Sequence, residues 1–119
     1  MTSHYQKLES FFLKSPINKK LEGNIKITQG YSEIKFSKKK FMHNEIDNIH
    51  SAYIFMALNE SAFFAANSLI EDVFVSNKSF EIIFLKSSES DNFIVKSNFL
   101  EKSMGNYVIL AELYDSDNI

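Results

Sequence analysis

Apolar residues first recur at helical spacing, with Tyr5, Leu8, Phe11 and Phe12 on one face and Ser3 placed to cap the start. Ser15-Pro16 ends this pattern, because proline drives the residue before it out of the α region. From Asn24 the period changes to two. Ile25 and Ile27 alternate with polar residues, and beyond Gln29-Gly30 come Tyr31, Ile34 and Phe36. That spacing predicts either one kinked strand or a hairpin turning at Gly30. Met42 to Ile49 is polar and irregular. A helix is then predicted from about Ser51 to Ile70, apolar on nearly every face through Ala52, Tyr53, Ile54, Phe55, Met56, Ala57 and Leu58. A helix of that kind is expected to be surrounded by protein.

The remaining chain reads as strands over Val73 to Ser87, Phe93 to Glu101 and Tyr107 to Tyr114. Turn clusters at Ser87 to Asn92 and Ser103 to Asn106 separate them. One hairpin or strand, a long helix and then a meander of at least three strands favour an α+β domain with an antiparallel sheet. The expected division is an N-terminal helix and linker over 1–22 and one domain over 23–119.

Composition narrows the function classes. The chain has 119 residues, 45% hydrophobic and 24% charged, which is enough for one self-supporting core. It has no cysteine and only three histidines, His4, His43 and His50. A disulfide scaffold, a thiol nucleophile and a resident metal or other cofactor are therefore not expected. Net charge is −2, and every one of the 13 basic residues is a lysine. Without arginine the bidentate forks of nucleic-acid recognition are missing, so no nucleic-acid partner is expected. Asn59, Glu60, Ser61, Asn67 and Ser68 interrupt the apolar run, which argues against a membrane span. With no basic and apolar leader in view, a cytoplasmic location is expected.

The loop into the long helix reads Asn44-Glu45-Ile46-Asp47-Asn48-Ile49-His50-Ser51-Ala52. It resembles the loop of phenylacetyl-CoA-thioesterase-like acyl-CoA thioesterases of the hot-dog fold. In these proteins an Asn is followed by Gly three residues on and by His-Gly-Gly at the helix start. Asn44 and His50 match, while Asp47, Ser51 and Ala52 stand where glycines are usual. The resemblance implies a long central helix wrapped by a curved antiparallel sheet, and a homodimer or higher homo-oligomer. It also implies a ligand site at Asn44, His50, Ser51, Ala52 and Asn59. The family typically carries one more strand after the segment matching Tyr107 to Tyr114, so the last family strand is expected to be missing or to lie in a longer protein.

Helix-start N–H groups suit the oxygen of a thioester carbonyl, where negative charge develops. The family places a carboxylate nine residues after the histidine, to activate water or attack the carbonyl. Here that position is Asn59, which cannot accept a proton near neutral pH. Glu60 follows, but one helical step turns it about 100° away. Tyr53, Glu60 and Asn67 are spaced by seven and form a polar stripe of their own, which gives Glu60 a structural alternative. His50 likewise has a capping or packing alternative, and Asn59 the alternative of a core asparagine satisfied by backbone groups.

The helix segment Phe55-Met56-Ala57-Leu58-Asn59-Glu60-Ser61-Ala62 also resembles the non-catalytic acyl-CoA-binding domain of malonyl-CoA-sensing lipid-synthesis repressors. Three functions follow as expectations. The first is an acyl-CoA or acyl-carrier-protein thioester binder, regulatory and catalytically impaired by Asn59. The second is an active thioesterase using Glu60. The third is a protein-interaction domain that has lost the ligand, its acyl channel filled by Tyr53 and Phe63. CoA phosphates need cations, for which Lys86, Lys96, Lys102 and the run Lys38 to Lys40 are the candidates.

Overall fold

The computed structural model describes residues 3–43, 49–71, 74–75, 78–83 and 91–115. Helix α1 spans His4–Lys14 and opens on a reciprocal capping box between Ser3 and Gln6. Ser15 is extended, as the residue before a proline must be, and Pro16 then occupies the first turn of a second short helix, α2, over Pro16–Leu21. The sequence pattern had predicted only a break there. Strands β1 (Asn24–Thr28) and β2 (Tyr31–Ser37) form an antiparallel hairpin. Gly30 turns it with φ of 70°, a conformation that suits glycine.

A 3-10 turn over Lys40–Met42 leads towards the long helix α3, Ser51–Asn67. This helix stops short of the predicted Ile70. Ser68 Oγ donates to the Ala65 carbonyl, and the Leu69 and Ile70 N–H groups bond three residues back, which tightens the last turn. Strands β3 (Asn92–Ser103) and β4 (Asn106–Asp115) complete an antiparallel sheet in the order β1-β2-β3-β4. The predicted strand over Val73 to Ser87 is not in the sheet among its described residues, 74–75 and 78–83. They instead set phenylalanines against the helices: Phe74 stacks on Phe63 of α3, and Phe80 packs on Phe55. The meander after α3 therefore has two strands among the described residues, where at least three were expected.

The sheet buries one face on α3. Ile34 pairs with Val95 and Phe36 with Phe93 across β2 and β3, and all four are buried. From α3, Ala57, Leu58, Phe64 and Ala65 pack into this core, joined by Leu8 and Phe12 of α1 and Leu21 of α2. Ser32, Ser61 and Ser97 meet inside it as a hydroxyl trio, with Ser97 Oγ donating to Ser61 Oγ at 2.7 Å. Each of these buried hydroxyls is thereby satisfied.

The expectation of a helix covered all round is corrected by the structure. Ser51, Ala52 and Phe55 are exposed, and Phe55 and Phe63 of α3 meet Phe80 and Phe74. Among the described residues no helix is long and apolar enough to cross a membrane.

Candidate functional site

The start of α3 is fixed from both sides. The His50 N–H donates to the Met42 carbonyl at 2.6 Å, and His43 and Ile49 form an isolated β-bridge. The 3-10 turn is thus clamped to the head of the helix. His50 itself is the N-cap. Its Nδ1 accepts from the Ala52 N–H at 3.0 Å, so the ring proton of neutral His50 sits on Nε2. The Ala52 N–H, expected as a carbonyl-oxygen donor, is occupied by this cap. The His50 side chain is exposed, and a ligand that rotates it away would free that donor.

Asn59 lies two and a half turns further on. At 100° per residue it shares a side of α3 with Ala52, Phe55 and Ala62, opposite the buried Ala57 and Ser61. The structure therefore puts Ala52 and Asn59 on one side of the helix, whereas His50, two and a half turns from Asn59, caps its start from the other side. Asn44 falls in 44–48, outside the described residues, as does Lys86.

Glu60 takes another direction. Its Oε1 accepts from Asn18 Nδ2 of α2 at 3.0 Å, and it is the one acidic residue in α3. The polar stripe that contains it is a docking seam. Tyr53 packs edge-on against Phe41, and Glu60 holds α2. Asn67 Oδ1 accepts from the Val75 N–H, while its backbone carbonyl bonds His4 Nε2 at 2.7 Å. Phe63, the other side chain proposed to fill an acyl channel, packs between Phe64 and Phe74.

The candidate phosphate-binding lysines separate in space. Lys96 points away from α3 on β3 and lies over the Tyr114 ring. Lys102 lies over Tyr107 near the β3–β4 turn, beyond the C-terminal end of α3 that Gly30, Ser68 and Phe99 mark. Lys38 pairs with Asp91 and Lys39 with Glu22. Lys40 opens the 3-10 turn beside the helix start. Sequence reasoning passed over Lys20 of α2, whose Nζ lies 5.5 Å from the centre of the Phe41 ring. Nothing in its local sequence pattern places it there; the turn at Ser15-Pro16 does.

No family model matches the chain, and no curated protein matches it in sequence. Solved structures do. A thioesterase family protein from Silicibacter pomeroyi superposes with a TM-score of 0.89 over 98% of this chain and 88% of its own, at 21% identity. The PaaI protein of the E. coli phenylacetic acid degradation operon gives 0.86 over 98% and 84%, at 14% identity. A Haemophilus influenzae thioesterase gives 0.83 over 100% and 84%, at 11% identity. The chain has the hot-dog fold of thioesterase-superfamily proteins. At these identities the likeness establishes fold, so chemistry must be argued from the residues.

Proposed function

We propose that this chain binds an acyl-CoA or acyl-carrier thioester and turns it over negligibly. The observation that carries the proposal is the split between Asn59 and Glu60. The family's carboxylate position on α3 holds an amide, Asn59, and the one carboxylate of the helix, Glu60, accepts from Asn18 of α2. A thioester carbonyl can be oriented there by helix-start donors and by Asn59, without a group to activate water or attack the carbon. A missing general base typically costs about 10²–10⁴ in rate.

A homodimer is part of the proposal. Strand β4 leaves an edge among the described strands, and Phe55 on the open side of α3 is 42% exposed. A second copy would cover both, as an uncovered edge and apolar patch invite association.

The test is steady-state hydrolysis of short-, medium- and long-chain acyl-CoAs by the parent, Asn59→Asp and Glu60→Gln. The expected outcome is negligible turnover by the parent, a measurable gain in Asn59→Asp, and no change in Glu60→Gln. Robust parental turnover that disappears in Glu60→Gln would make the protein an active thioesterase instead.

A further inference from the structure

A cavity of about 420 Å³ lies between α2, the 3-10 turn and the first turns of α3. It exists because Ser15-Pro16 swings α2 away from α1 and Asn18 then ties it to Glu60, leaving a wedge over the N-terminal half of α3. Ile17, Lys20 and Leu21 form the α2 wall, and Tyr53 and Met56 form the α3 wall. Phe41 and Met42 close the remaining side. Leu21 and Met42 are fully buried at its base, while Ile17 and Phe41, at 48% and 47% exposure, stand at the mouth.

Asn59 is not among the lining residues; on α3 it is rotated roughly 60° from Met56 and 120° from Tyr53.

The lining is apolar apart from two groups, the Tyr53 hydroxyl and the Lys20 ammonium, and it contains no carboxylate. Among the described residues no carboxylate pairs with Lys20; its one contact of note is the face of Phe41. A cation at an apolar pocket, with no carboxylate paired to it among the described residues, selects against cations. It also gains little from a hydrocarbon, which leaves the ammonium unpaired, or from a small hydrated anion, which leaves the walls wet. An apolar body ending in one negative charge satisfies both features.

We infer that this pocket is a binding site for a small amphiphilic carboxylate, its chain between α2 and α3 and its head group on Lys20. The lining contains none of Asn44, His50, Ser51, Ala52 and Asn59, and the occupant is the free acid, so its binding is read without the thioester proposal.

The chain carries its own reporters. Met42 and Met56 line the pocket, whereas Met104 is 98% exposed in the β3–β4 turn. Full-length protein labelled with ¹³C at the methionine methyls is titrated with sodium octanoate and, separately, with 1-octanol, in the absence of any coenzyme A. The expected result is saturable displacement of the Met42 and Met56 methyl signals by octanoate, with Met104 unmoved. Lys20→Met should weaken octanoate by about tenfold, the loss of one charge-assisted contact, while leaving octanol unchanged. Lys20→Arg should restore octanoate binding. Absence of saturable shifts at Met42 and Met56 would overturn the inference. So would equal affinity for octanoate and octanol that ignores Lys20→Met, or displacement of Met104 in parallel.

Discussion

Tyr31 is the residue whose ionisation the fold moves most clearly. Burial, a hydrogen bond to the Glu33 carboxylate at 3.0 Å and the charge on that carboxylate all favour the neutral phenol, raising its pKa from 10.0 to about 12. Below pH 10 the group is protonated in folded and unfolded chains alike, and its contribution to stability is fully present. Between about 10 and 12 the unfolded chain has lost the proton that the folded chain keeps, so stability falls as pH rises. Difference absorbance of tyrosinate in the parent and Tyr31→Phe should therefore lose a late-titrating phenol in the variant. The variant's stability should also decline less steeply over that interval. A Tyr31 that ionises near 10 would contradict the bond to Glu33.

At the scale of elements, α3 is a helix whose sides do different work. One is core, one is open with Ala52 and Phe55, and one is the seam that holds the N-terminal helices. The seam gives Glu60 a role in stability. Glu60→Gln retains the acceptor for Asn18 Nδ2 and should be close to neutral in urea unfolding. Glu60→Leu removes it, leaves the amide of buried Asn18 unpaired and should cost about 1–3 kcal/mol. Equal stability of the two variants would contradict the seam.

Much of this was legible in the chain. Period and capping chemistry located α1, β3 and β4, because each is decided by local spacing and turn residues, and narrowed Gly30 to a kink or the hairpin turn that the structure shows. The loop from Asn44 to Ala52 with the long helix pointed to the fold, and the stripe Tyr53, Glu60, Asn67 was visible as a pattern. What it binds was not. The partners of that stripe come from Asn18, Phe41 and Val75, which are distant in sequence and meet it only through the tertiary path. Of the stretch from Val73 to Ser87 only 74–75 and 78–83 are described, and there β-branched and aromatic residues that suit a strand place Phe74 and Phe80 on helix phenylalanines instead. The second helix was missed because six residues after a proline carry too little periodicity to announce it.

At the scale of the whole molecule, an open helix side with Phe55, flanked by exposed Phe74 and Ile83, and a β4 edge with Val108 and Leu110 half-exposed suit an assembly better than a lone chain. Light scattering at micromolar concentration should give about twice the chain's 13.8 kDa. A clean monomer would remove the second copy from the proposed site. The central claim is that a thioester is held intact. Native mass spectrometry of the purified protein after incubation with octanoyl-CoA tests this in one sample, since bound ligand and assembly mass are read together and free CoA is read in the same spectrum over time. The expected spectrum is a dimer carrying intact octanoyl-CoA, with no protein-dependent growth of free CoA. A dimer that carries no ligand, or free CoA accumulating at a rate proportional to the protein, would contradict it.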